Sequence, residues 1–126
     1  MLLHSRISGY AHMTDKQQAA IYGRRLREAR ESQGVSLEGL GVAVGLDVSG
    51  ASGRLSRYEN GIHQPKLGLQ RLLARALQKP LAYFYAENDE LAQLISDFGR
   101  RDEPDLKPIE VKKKRTTRKK GSAAGR

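Results

Sequence analysis

The sequence has no cysteine, no tryptophan, only 6% aromatic residues and four prolines among 126 residues. Without cysteine there is no disulfide, no thiol nucleophile and no cysteine-ligated zinc or iron–sulfur centre. That composition suits a reducing compartment. No apolar run approaches the roughly 18 residues needed to span a bilayer. Residues 1–13 carry Arg6 but none of the apolar stretch of a secretory signal. The expectation is therefore a cytoplasmic protein with no membrane association. His4, His12 and His63 lack the mutual spacing of metal ligands and read as loop residues. No Ser/His/Asp set and no glycine-rich phosphate loop stands out. The chain is expected to be no enzyme, with no catalytic residue, no metal and no cofactor.

Basic residues, by contrast, are abundant: 23 Lys and Arg against 14 Asp and Glu give a net charge of +9. The excess is unevenly placed. Residues 14–80 carry +5, residues 81–110 carry −5, and residues 111–126 alone carry +8. A pI near 10.1 thus says less about the centre of the chain than about its end. The division expected is a flexible leader over 1–13, a folded domain over 14–99 and a basic tail over 100–126. From 102 onward the chain has almost nothing to bury and is expected to be disordered.

Between these ends the patterning is helical, with no strand-type alternation. Thr14-Asp15-Lys16-Gln17 has the form of a capping box. Behind it Tyr22, Leu26 and Ala29 recur on one face, and Gly34 is placed to end the helix. Ser36 caps a second, shorter helix over about 36–44, in which Leu37, Leu40 and Val44 face inward with Val42 and Ala43 beside them. Gly45 stops it, and Asp47 and Ser49 compete as the next cap. A third helix over about 49–60 carries Ala51, Leu55 and Tyr58 on its buried stripe, and Gly61 and Pro65 follow it. A fourth over about 67–77 buries Leu69, Leu72, Leu73, Ala76 and Leu77. Tyr83, Phe84 and Tyr85 sit in a short aromatic turn read as core and rim packing. A fifth helix spans about 87–98, with Asp89 and Glu90 at its positive N-terminal end.

Two short helices joined by a glycine turn, within an all-helical domain, form the arrangement that places a helix in the DNA major groove. Here the sequence resembles the phage-repressor/Cro-like, or XRE-like, helix-turn-helix family. The resemblance runs over about 18–86. It is carried by Gly23-Arg24-Arg25-Leu26-Arg27-Glu28-Ala29-Arg30, then Gly34-Val35-Ser36-Leu37-Glu38-Gly39-Leu40. Ser56-Arg57-Tyr58-Glu59-Asn60-Gly61 with Pro65 follows, then Leu72-Leu73-Ala74-Arg75-Ala76-Leu77 with Phe84. It implies an all-α, five-helix, lambda-repressor-like fold that binds double-stranded DNA as a transcriptional regulator. It also implies backbone contacts at Asn60, Ser36 and Leu37, the last only through its N–H, and an internal ion pair between Arg30 and Glu59. The spacing departs from the family in one place: the stretch between Gly45 and Glu59 is longer by about four residues. The extra residues either lengthen the turn or extend the reading helix at its start.

The ~100° step of a helix turns Ser49, Ser52, Gly53, Ser56, Arg57 and Asn60 away from the buried stripe. This small, polar and partly cationic face suits close approach to base edges. Arg57 is the first choice for a base contact, because arginine pairs bidentately with guanine. Ser52 is second; Gly53, Ser49 and Ser56 share the face. Two glycines at or near the start of this helix make direct readout sparse. Arg54 and Lys66 are placed to meet phosphates.

Lys112, Lys113, Lys114, Arg115, Arg118, Lys119 and Lys120 form a cationic block that reads as an arm tracking the phosphate backbone, or else as a solubilising tail. Leu91, Leu94, Ile95 and Phe98 make a stripe on the last helix. It either closes the core or pairs with a second subunit, since operators for this motif are commonly read by dimers. A homodimer is the expected state, with the acidic last helix as a candidate site for another protein. Two alternatives stand beside the regulator: an antitoxin-type interaction module that also binds DNA, and a nonspecific nucleoid-type binder relying on the tail. Fold alone does not separate them.

Overall fold

A computed structural model describes residues 14–102 together with Ile109 and Val111. Five α-helices and one 3₁₀ turn pack around a single core, and no strand occurs among the described residues. α1 spans Asp15–Gln33, α2 Leu37–Ala43, α3 Ala51–Glu59, α4 Leu67–Ala76 and α5 Asp89–Asp102, with the 3₁₀ turn Leu81–Tyr85 between α4 and α5.

The helix starts follow local chemistry. The Gln17 N–H donates to Thr14 Oγ1 at 3.1 Å, and the Thr14 N–H donates to Gln17 Oε1 at 2.8 Å, a complete capping box. Gly34 ends α1 at φ +68°, where a side chain would be strained. Ser36 caps α2 by accepting from the Gly39 N–H at 2.9 Å. α3 departs from expectation. It begins at Ala51, with Gly50 as a cap that makes no side-chain hydrogen bond. Asp47 does not cap the helix. It closes the preceding turn instead, its carbonyl accepting from Gly50 N–H at 3.0 Å and its carboxylate from Ser49 N–H at 3.4 Å.

The core gathers Tyr22, Leu26 and Ala29 of α1, Leu40 of α2, Leu55 and Tyr58 of α3, Leu73 and Leu77 from α4 and its cap, and Phe84. Tyr22 packs 5.5 Å from the Phe84 ring and 6.0 Å from the Tyr85 ring, centroid to centroid. Burial, then the neighbouring Tyr85 and Tyr58 phenols, push the Tyr22 hydroxyl well above the ordinary tyrosine range. Leu69 and Leu72 are half-buried, and Val42 is exposed.

Arg25 is the largest fully buried side chain, and nothing in the local pattern marks it. It occupies the apolar face between Tyr22 and Leu26. Its Nε donates to the Ala86 carbonyl at 2.9 Å, and its Nη1 bridges Glu28 at 2.9 Å and Asp89 at 3.0 Å. One guanidinium thus ties α1 to the junction where the 3₁₀ turn meets α5.

α5 turns inward the face next to the one its large residues suggest. Ala92 and Ser96 are buried, whereas Leu91, Leu94 and Phe98 are exposed and Ile95 is half-buried. The reason is steric. A Cβ on Gly99 would overlap the Pro80 ring, and Lys79 Nζ donates to Ser96 Oγ at 2.8 Å. Only small residues allow so close an approach to the Lys79-Pro80 corner. Of the two roles open to this stripe, closing the core is therefore overturned for Leu91, Leu94 and Phe98, while Ile95 does pack against it. The helix also runs through Gly99 to Asp102, past the end expected at 98. Ile109 and Val111 are half-buried against the core, so these two side chains do find something to bury.

Candidate nucleic-acid interface

Three close approaches set α3 in place. Gly41 of α2 faces Ala51 of α3 so tightly that a Cβ on Gly41 would lie 2.6 Å from the Ala51 Cβ. Gly23 of α1 meets the backbone end of α3, where a Cβ would collide with the carbonyl oxygens of Tyr58 and Glu59. Next to it, Arg30 grips Glu59 with a two-pronged ion pair, Nε to Oε2 at 2.6 Å and Nη2 to Oε1 at 3.1 Å. Both side chains are buried. The remaining Arg30 nitrogen donates to the Val35 carbonyl at 2.9 Å, next to the cap of α2. The same guanidinium therefore orients both helices of the motif. A buried pair of this kind fixes geometry; its removal from one side leaves an uncompensated charge.

Between α2 and α3 the chain makes a long turn over 44–50. The Leu46 N–H donates to the Gly41 carbonyl at 2.9 Å, Gly45 adopts φ +97°, and the Asp47 hydrogen bonds complete it. The additional residues thus lengthen the turn and leave α3 at nine residues. Ser49, expected on the helix, lies in this turn and is exposed.

On α3 itself Ser52, Gly53, Arg54, Arg57 and Asn60 are exposed, and Ser56 is half-buried. Two of these side chains are held along the helix. Arg54 Nε donates to Tyr58 Oη at 3.1 Å, and Asn60 Nδ2 donates to Ser56 Oγ at 3.3 Å. The Arg57 guanidinium lies over Gly53, 3.7 Å from where a Cβ would stand. A side chain at 53 would touch this guanidinium without overlapping it.

After α3 the chain reverses at Gly61, φ +75°, and the Ile62 N–H donates back to the Arg57 carbonyl at 2.9 Å. Buried Gln70 of α4 secures the far side of this loop, Nε2 donating to the Pro65 carbonyl at 2.7 Å, and itself accepts from the Tyr85 hydroxyl. The result is an open groove of about 530 Å³ lined by Arg54, Arg57, Tyr58, His63, Gln64, Lys66 and Leu69. Arg54 and Arg57 from α3 and Lys66 from the loop converge there. His63 joins them, a residue that sequence reasoning set aside. Its only signal in the sequence was its position between the reading helix and a basic loop residue. Three cationic side chains, with His63 beside them, thus line one groove next to α3.

Ser36 and Leu37 sit apart at the start of α2. The Ser36 hydroxyl is engaged by the Gly39 N–H, and Leu37 is half-buried against the core. Lys112, Lys113, Lys114, Arg115, Arg118, Lys119 and Lys120 lie outside the described residues, as does the leader over 1–13. Among the described residues no cluster of His, Asp and Glu could hold a metal ion. No described helix is long and apolar enough to cross a membrane.

A family described as a helix-turn-helix domain matches residues 21–82. The chain is similar to the transcriptional regulator BswR, whose crystal structure shares 34% sequence identity and a TM-score of 0.59; the match covers 82% of this chain and 88% of that one. No curated protein matches.

Proposed function

Since the chain belongs to the helix-turn-helix family of transcriptional regulators, we propose that it reads a specific sequence in duplex DNA with α3 and holds the flanking phosphates through the groove beside it. The observation that carries this reading is the convergence of Arg54, Arg57, His63 and Lys66 beside the small-residue face of the second motif helix. Arg57 is the base-reading cation, with Ser52, Gly53, Ser56 and, from the turn, Ser49 nearest the base edges. Arg54, Lys66, Asn60 and the start of α2 at Ser36 and Leu37 meet phosphates. His63 is added to the phosphate set.

Mutation separates these roles. Arg57→Ala is expected to relax preference at one base position and cost about 1–3 kcal/mol on the preferred site. Lys66→Ala is expected to weaken all sequences alike and flatten the log K versus log salt slope by about one unit. Anisotropy titrations on preferred and scrambled duplexes check both. Equal losses on both duplexes for Arg57→Ala would contradict its role in reading.

The exposed stripe of Leu91, Leu94 and Phe98 supports self-association through α5, by which two copies would read two half-sites. Leu94, 66% exposed, is the diagnostic position. Leu94→Asp is expected to leave the melting temperature of the fold unchanged at low concentration and to shift sedimentation from dimer to monomer. A wild-type chain that sediments as a monomer until a different protein is added would favour the interaction-module alternative.

A further inference from the structure

We propose that Val48 is a specificity-determining residue that meets the 5-methyl group of a thymine in the major groove; the inference rests on the DNA-binding reading above. Near the start of α3 the long side chain of Arg54 lines the groove and is held by Tyr58 Oη, and the other outward side chains are short. Ser52 and Ser56 carry hydroxyls, which pair with more than one base and discriminate weakly. Gly53 carries nothing, and the Arg57 guanidinium lies beside it. Arg57 itself arises near the C-terminal end of α3. The residues at the N-terminal end of a reading helix are those that meet base edges, and this face offers them no apolar contact and, Arg54 apart, no long side chain.

Val48 fills that gap. It stands three positions before Ala51 and is 59% exposed. The turn that presents it is closed on both sides, by the Leu46 N–H on the Gly41 carbonyl and by the Asp47 carbonyl and carboxylate on the N–H groups of Gly50 and Ser49. A valine held outward by a hydrogen-bonded turn does little for the monomer, since its methyls stay in water. Ile62 is similarly exposed but follows the C-terminal end of α3. Thymine is the one base that offers a methyl group in the major groove, and apolar side chains are the groups that recognise it. The lengthened turn thus supplies a contact that the small face of α3 lacks.

The test uses the full chain and the duplex it prefers after in vitro selection. Each thymine is replaced singly by deoxyuracil, which keeps the hydrogen-bonding edge and removes only the methyl. Affinities are measured for the wild type, Val48→Ala and the near-isosteric Val48→Thr. At one thymine per half-site, uracil should weaken the wild type about fourfold, the loss expected for one buried methyl-sized group. Val48→Ala should bind the thymine duplex about fourfold more weakly than the wild type, with no further loss on uracil. Thermal melts should match throughout. A wild-type and a Val48→Ala profile that fall in parallel at every uracil would overturn the proposal and leave the DNA-binding reading intact. So would a Val48→Ala change confined to sedimentation, which would make the residue a subunit contact. A wild type that selects no sequence would overturn the DNA-binding reading, and this inference with it.

Discussion

Replacing Glu59 with alanine is expected to cost about 3–5 kcal/mol of stability, the loss typical when one partner of a buried ion pair is removed. In a domain of about 60–100 residues each kcal/mol moves the melting point by about 4–8 °C. A calorimetric scan should therefore show a fall of more than about 12 °C. The cause is the Arg30 left behind: its guanidinium is buried, and after the change it keeps only the Val35 carbonyl among its buried partners. Arg27, whose Nε lies 3.4 Å from the same carboxylate, is half-exposed and offers no substitute for a lost anion. Replacing both partners by apolar residues of similar size should recover much of the stability, because the unpaired charge is then gone. Wild-type melting in Glu59→Ala would show that the pair does not hold the motif together.

The second large effect reverses an expectation from helix propensity. Gly23 lies inside α1, where alanine ordinarily gains about 1 kcal/mol over glycine. Gly23→Ala should nevertheless destabilise, because the new Cβ would run into the Tyr58 carbonyl and stand 2.5 Å from the Glu59 carbonyl oxygen. These atoms are backbone and have no rotamer to relax into. Overpacking of this kind costs about 1–3 kcal/mol and occasionally more, and here it also pushes α1 off the ion pair that orients α3. Gly53→Ala gives the internal control. Its Cβ would meet only the Arg57 Nη1 at 3.7 Å, the far end of a flexible side chain. The same substitution should there raise the melting temperature, by up to about 1 kcal/mol in stability. Matching signs for the two variants would contradict the packing described.

These effects also show what a sequence conveys locally and what it does not. The capping box at Thr14 and Gln17, the Ser36 cap and the Gly34 stop are decided within four residues, and each was legible from spacing alone. The stripe of Ala51, Leu55 and Tyr58 was legible for the same reason. The start of α3 was not, because Asp47 had two local uses and the structure spends it on the turn. Arg25 was invisible: a charged residue on an apolar face makes sense only once the Ala86 carbonyl and Asp89, more than sixty positions away, arrive beside it. On α5 hydrophobicity pointed one way and size the other. The large residues fitted either a core or a subunit contact, and the corner at Lys79 and Pro80 admits only the small face of Ala92, Ser96 and Gly99. His63 gave no signal by spacing, since its neighbours in the groove come from α3 across the Gly61 reversal.

Residues 14–80 carry +5 and residues 111–126 carry +8; under the proposed reading the second block supplies only nonspecific attraction. Specificity should then survive without residues 112–126, while affinity for every duplex falls. The direct measurement is in vitro selection of bound duplex DNA at two salt concentrations, with the full chain and with a chain ending at residue 111, which keeps the Val111 side chain on the core. One enriched sequence common to both chains is expected, with a weaker overall affinity and a flatter log K versus log salt slope for the shorter one. Enrichment that disappears with residues 112–126, or no enrichment for either chain, would contradict the proposed reading.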